Sequence, residues 1–315
     1  MGKVHDIVIE DVISRMEADG NLVWQRPWNS VGLMPMNLKS GNQYSGSNVL
    51  LLSFSQYKSP YWVTAKQARA FGGTPKTTTT TRLRGPFLPL AGVEVEVPCE
   101  KQEPRLIIFF KQADKDDPDS YRFMRFYKVY NTDQFDGIEH SRLDELENMK
   151  ADERLRVDGD AEAVAESLLA AYSKRGAEVE HGGNQACYIP TLDKIHMPER
   201  GQFEKVHLYY KTLFHEHAHD TGHHKRLERD GVVNHIRFGS HDYSVEELIA
   251  DTTAAMLCHH TGMYTNDVAH ETAAYLQDWI KKLRAEPQML FTAGAAAQRA
   301  FDFITTGKRP KKKKD

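Results

Sequence analysis

Apolar and polar positions recur along this chain with two different periods. His5-Asp-Ile-Val-Ile-Glu-Asp-Val-Ile-Ser-Arg-Met-Glu-Ala-Asp19 repeats its apolar residues at helical spacing and stops at Gly20, which predicts an amphipathic helix over 5–19. Short strand-like runs follow, punctuated by turn signals at Ser40-Gly41, Gly72-Gly73 and Gly85-Pro86. Leu106-Ile-Ile-Phe-Phe110 and the stretch 121–130 read as two strands joined by the polar loop 114–120. From about Gly137 to Asp160 the chain is charged and poor in aromatics, which reads as an interdomain helix and linker. Beyond Ala161 helices dominate, over 161–174, 205–220, 244–260, 268–284 and 287–306, with a short strand pair near 178–180 and 186–190. No internal repeat is visible. The pattern predicts an α+β chain of two domains. A small mixed α/β domain spans 1–140, a linker 141–160, a mainly helical domain 161–307, and a basic disordered tail 308–315.

Composition narrows the function classes. With 315 residues the chain is long enough for two substantial cores, and a net charge of −3 excludes a uniformly basic DNA coat. No apolar run reaches about 18 residues, so no transmembrane helix is expected. The polar start Met1-Gly-Lys-Val-His-Asp is not that of a signal peptide. Cys99, Cys187 and Cys258 are widely spaced and form no C-x-x-C, which suits reduced thiols in a cytoplasm.

The densest chemistry lies in Thr212-Leu-Phe-His215-Glu216-His217-Ala218-His219. It reads H-E-x-x-H inside a helical segment whose apolar side begins at Val206. Residues four apart share one helix face, so His215 and His219 can hold one metal ion while Glu216 stands beside it as a proton acceptor. Two imidazoles, a carboxylate and an open position on Zn2+ make a hydrolase site. A His-rich solvated helix face is the bland alternative, given His215, His217, His219, His223 and His224.

A third ligand is needed. The extended pattern H-E-x-x-H-x-x-G-x-x-H fails by one residue, because Lys225 stands where the last His would fall, although His224 is adjacent. The alternative is a glutamate from a second helix, and Ser244-Val-Glu246-Glu247-Leu-Ile-Ala-Asp251 offers one. Glu247 is preferred because Asp251 then lies four residues on, where it can accept the second N–H of a ligating imidazole. Glu246 competes for the role, and both acids also suit a helix start after Ser244. His241 and Tyr243, just ahead of that helix, are candidates for stabilising an oxyanion.

Charge is uneven. From Gly20 to Val93 there is no Asp or Glu, while cations and aromatics interleave. Cations neutralise phosphates and flat rings stack on unpaired bases, so this composition suits a single strand of nucleic acid. The candidate contacts are Trp24, Arg26, Trp28, Lys39, Tyr44, Trp62, Lys66 and Arg69. The alternative is a β-rich core that buries the aromatics.

Several of these segments together are specific. They are Trp24-Gln-Arg-Pro-Trp28, Asn42-Gln-Tyr44-Ser-Gly46-Ser-Asn48, Trp62-Val-Thr-Ala-Lys66-Gln67-Ala68, Ile195-His-Met-Pro198, the H-E-x-x-H helix and Tyr275-Leu-Gln-Asp-Trp279. Along nearly its whole length the chain resembles the ArdC-type antirestriction proteins of conjugative plasmids and phages. The resemblance implies an N-terminal single-stranded-DNA-binding domain and a C-terminal zincin-like metallopeptidase domain. It also implies protection of incoming DNA from host restriction. It places zinc on His215, His219 and a glutamate of the 246–247 pair, with Glu216 as general base. Host restriction enzymes or other DNA-bound proteins are the implied protein partners. Three other readings compete: a DNA-associated protease of SprT-like logic, a non-enzymatic DNA binder with a structural zinc, and an accessory part of a plasmid primase.

Overall fold

The computed structural model describes residues 2–19, 34–53, 57, 59–81, 94–98, 103–112, 122–153, 159–234, 241–263 and 273–309. In chain order the first half holds α1 (Gly2–Asp19), β1 (Met36–Asn37), α2 (Ser47–Ser53), β2 (Tyr61–Val63), α3 (Ala65–Ala70), β3 (Thr74–Pro75), β4 (Thr77–Thr81), β5 (Glu94–Pro98), β6 (Arg105–Gln112), β7 (Arg122–Asn131), β8 (Phe135–Asp136) and α4 (Ser141–Glu153). The second half holds α5 (Gly159–Tyr172), β9 (Glu178–His181), β10 (Cys187–Ile189), β11 (Lys194–Met197), α6 (Val206–Asp220), α7 (Asp230–Val233), α8 (His241–Thr261), α9 (Ala273–Ala285) and α10 (Gln288–Thr306). The chain is α+β, with sheets concentrated in the first half and helices in the second.

The first half is built on a four-stranded sheet of order β1-β2-β7-β6, in which β6 and β7 form a long antiparallel ribbon. Local sequence sets its corners. Thr64 ends β2 and caps α3: its hydroxyl accepts from the Gln67 N–H, and its own N–H donates back to Gln67 Oε1 at 2.8 Å. Asn131 and Gln134 repeat this reciprocal device at the end of β7. Such boxes satisfy two otherwise orphaned backbone groups apiece, so W-V-T-A-K-Q reads as strand, cap and helix.

Segment 141–160, read from sequence as part of an interdomain helix and linker, holds α4. Leu146 on α4 is buried with Leu38, Tyr61, Val63, Ala68 and Phe135, and Arg142 donates to the Leu38 carbonyl at 2.6 Å. The helix therefore closes the first-half core. Charge dominates its composition because only one stripe of it faces inward.

The two halves also share a core. Val8, Ile9, Val12, Ile13 and Met16 of α1 form one buried stripe, and it packs against Trp279, Ile280 and Leu283 of α9. Leu50 and Leu51 of α2, Leu106 and Ile108 of β6, Leu248 and Ile249 of α8 and the apolar face of α10 belong to the same cluster. One core thus crosses the expected domain border. Period and polarity show that a helix has an apolar face, but not which distant element covers it.

In the second half, α6 packs along α8 and against the three-stranded sheet of order β10-β11-β9. The strand pair expected near 178–190 is this three-stranded sheet, with β9 parallel to β11 and β10 on the open edge. Among the described residues, no helix is long and apolar enough to cross a membrane.

The halves touch backbone to backbone where α10 crosses the start of α2. A Cβ on Gly294 would sit 2.7 Å from Ser47 Cα and 3.0 Å from Ser47 N, while the Ser47 hydroxyl donates to the Phe291 carbonyl at 3.0 Å. Gly294→Ala gains up to about 1 kcal/mol of helix propensity but forces the helices apart, which costs about 1–3 kcal/mol. The clash outweighs the propensity, so the urea midpoint of this variant falls below that of the wild type. A midpoint equal to or above wild type would show that the crossing yields without cost.

Candidate metal centre

Helix α6 begins at Val206 and buries Tyr210, Leu213, Phe214 and Ala218 beneath the site. That leaves His215 and His219, one turn apart, facing α8. Their Nε2 atoms stand 3.1 Å apart. Glu247 of α8 reaches both, with Oε2 3.6 Å from His215 Nε2 and Oε1 3.6 Å from His219 Nε2. A tetrahedral zinc with ligand bonds of 2.0–2.1 Å has ligand–ligand edges of about 3.3–3.4 Å. The three donor groups are spaced to that measure, and they are the cluster of metal-ligating groups among the described residues.

Each imidazole has its own carboxylate behind it. Asp251 Oδ1 lies 3.0 Å from His215 Nδ1, and Glu246 Oε1 lies 3.3 Å from His219 Nδ1. Each carboxylate accepts from an Nδ1–H, which turns Nε2 of both rings toward Glu247, the orientation that metal ligation requires. Burial alone would keep His215 neutral, yet hydrogen bonds to Asp251 and Glu247 outweigh it and push its pKa up to about 10. The carboxylates favour positive charge at this point, a preference that a bound cation would also meet.

Glu246 and Glu247, which the sequence left in competition, point to different partners. Glu246 is buried and gripped by Arg229, whose Nε and Nη2 donate to its two oxygens at 2.9 and 2.5 Å. Burial would raise its pKa, but the guanidinium holds it down to about 2. Arg229 also donates to the Ala218 carbonyl at 2.8 Å and to the Thr221 hydroxyl at 2.6 Å, so it ties α8 to the end of α6. Gly222 allows this closure: a Cβ there would meet Val232 Cγ2 at 2.4 Å and Arg229 Nη2 at 2.9 Å. No sequence signal links Arg229 to Glu246.

Glu216 is buried beside the two histidines, and its Oε2 accepts the Tyr188 backbone N–H at 2.7 Å. Tyr188 is on the edge strand β10, and its role is invisible in sequence because any residue supplies an N–H. Behind the motif, the fully buried Asp220 accepts from Ala177 N at 3.1 Å and from the Tyr172 hydroxyl, with His217 Nδ1 at 2.7 Å. Lys225, at the position of the failed third histidine, is exposed and pairs with Asp193 at 3.3 Å. The exposed His224 packs against His223, with ring centroids 4.0 Å apart and the rings tilted by 41°, and it is not part of the donor cluster.

His241 and Tyr243 fall in the first turn of α8, which starts ahead of the expected boundary, and their side chains lie outside the described residues. Ser244, expected near the cap, is instead buried inside the helix. Of the candidate DNA contacts, Trp24, Arg26 and Trp28 lie outside the described residues. Lys39, Lys66 and Arg69 are exposed, the last two one turn apart on α3. Tyr44 is half-buried, with its hydroxyl accepting from Asn37. Trp62 is 2 % exposed and packs with Leu52 and Val129, so its ring offers no face to a base and serves the core.

Two family profiles match the chain in series. Residues 2–132 match the N-terminal domain of anti-restriction factor ArdC, and residues 163–297 match a zincin-like metallopeptidase. The Mn(II)-bound crystal structure of antirestriction protein ArdC from the R388 plasmid superposes with a TM-score of 0.64 at 28 % identity, covering 95 % of this chain and 96 % of that one. The chain is of the ArdC type. The metal-free R388 structure is similar to it at a TM-score of 0.63 and the same identity. In Escherichia coli, two proteins named DNA primase TraC are 33 % and 32 % identical over 95 % of this chain. The ArdC-type chain spans only 27 % and 20 % of their lengths. A Sinorhizobium fredii protein named y4eC is 27 % identical, over 96 % of this chain and 91 % of its own. Its zincin-like fold, its donor spacing and a metal-bound relative all suit the site to a divalent metal.

His219→Ala and Glu247→Gln each abolish one-per-chain metal binding, read by metal analysis after dialysis. Glu246→Gln keeps the metal with affinity lowered about 10–100-fold. The reverse order of the two glutamate variants would exchange their roles.

Proposed function

We propose that this protein is an antirestriction factor that binds single-stranded DNA entering the cell through its first half and carries a zinc metallopeptidase in its second. The observation that carries the reading is the convergence of His215, His219 and Glu247 at zinc spacing, with the Glu216 carboxylate oriented beside them. Three protein ligands leave a position open, which a purely structural zinc site usually closes. A zinc ion bound there would supply Lewis-acid polarisation of a peptide carbonyl.

The protein's own groups do the rest. One oxygen of Glu216 is anchored by the Tyr188 N–H, so the other accepts a proton from the attacking water and returns it to the leaving amine. Asp251 and Glu246 hold the two imidazoles in one tautomer, and Arg229 fixes Glu246. His241 and Tyr243, at the entrance to α8, are the candidates for stabilising the oxyanion. Lys39, Lys66 and Arg69 give the first half cations for phosphates.

Glu216→Gln should keep its metal and fold but lose proteolysis of a protein substrate by about 10²–10⁴-fold. Retained proteolysis would remove Glu216 from the reaction. The same variant, tested for protection of DNA transferred into a restricting host, separates the two halves of the proposal. Protection lost with proteolysis makes peptide cleavage part of antirestriction, and protection retained assigns it to the DNA-binding half. A wild type that protects no incoming DNA would overturn the reading.

A further inference from the structure

The ribbon β6–β7 carries a feature that neither the metal centre nor the core uses. Its strands, eight and ten residues long, contain Arg105, Lys111, Arg122, Arg125 and Lys128 and no acidic residue. Side chains alternate across it. Leu106, Ile108, Met124 and Phe126 face the shared core beneath α1 and α2. The opposite face presents Ile107, Phe109, Arg125 and Tyr127. Phe109 is 49 % exposed and Tyr127 45 % exposed.

Register brings these groups together. Phe109 sits directly opposite Arg125, and Ile107 opposite Tyr127, so the two rings are diagonal neighbours on one face. Their centroids are 6.1 Å apart, at an interplanar angle of 71°. Ile107 packs at its base against the buried Trp62 and Val129. The platform is therefore rigid, held by strand pairing above and a core below, and its rings are presented at little entropic cost.

Resting on the single-stranded-DNA reading above, we propose that this face is where unpaired bases stack, with Phe109 and Tyr127 as the stacking rings and Arg125 beside them for the backbone phosphate. Exposed aromatics on a sheet, flanked by cations, match a polymer with flat apolar bases and one negative charge per residue. Duplex DNA hides its bases and gains nothing from the rings. A second copy of this chain is the rival occupant, since β6 is the sheet edge. Charge decides against it: symmetric pairing would set the ribbon's cations against their own copies.

The test is fluorescence anisotropy with labelled (dT)20 and the full-length protein. Phe109→Ala and Tyr127→Ala each weaken binding by about 5- to 150-fold if a base stacks on each ring. The double variant is weaker than either, and Phe109→Trp restores affinity. Val164→Ala, on an equally exposed apolar residue of α5, leaves binding unchanged. Thermal melts of all variants match wild type, because the rings lie outside the core. Wild-type binding with alanine variants within two-fold of it overturns the platform and leaves the single-strand reading intact. Failure of the wild type to bind (dT)20 overturns both. Unchanged affinity with a shift in sedimentation from dimer to monomer makes the face an interface between copies.

Discussion

From Ser244 to His259 no residue of helix α8 is exposed, and the rest of the structure is arranged around that constraint. Leu248 and Ile249 enter the core shared with the first half, and Ala254, Leu257 and Cys258 enter the core beneath α6. Glu246, Glu247 and Asp251 fill the remaining sector, facing the two histidines. A helix buried all round can neither rotate nor slide without unpacking both cores. The carboxylates inherit that rigidity, so the separation of the metal donors is fixed by apolar packing well away from them.

The charges buried around the site follow the same logic. Glu246 is matched by Arg229 and His219, and Asp220 by His217, Arg226, the Tyr172 hydroxyl and the Ala177 N–H. A buried pair of this kind adds little net stability, whereas removing one partner leaves an uncompensated charge. Their contribution is geometric. Arg229 and Asp220 pin the chain on either side of Gly222 to α6 and α8, which keeps the last turn of the metal helix from fraying.

The helix that carries His215 and His219 was legible in sequence because its information is local: a period of 3.6 puts the two on one face wherever the helix is buried. Choosing between Glu246 and Glu247 was harder. Asp251 four residues on favours Glu247, but both acids suit a helix start after Ser244, and Arg229, which occupies Glu246, lies in a stretch without periodicity. Trp62 shows a different limit. Composition marked it as an aromatic among cations, but burial depends on which strands close over it, and that is set by β7 some 70 residues later. Phe109 and Tyr127 were read only as part of strands, because alternation says that one face is covered without saying which.

The docking of α1 on α9 has a temporal side. Arg284 reaches back to Glu17 across 267 residues. A ribosome delivers the amphipathic first helix long before its partner exists. During that interval Val8, Ile9, Val12, Ile13 and Met16, together with the inner face of β6, lack the α9 and α10 surfaces that finally cover them. The nascent first half therefore keeps that apolar surface uncovered until most of the second half has been made, and its core closes only when α9 and α10 have been added.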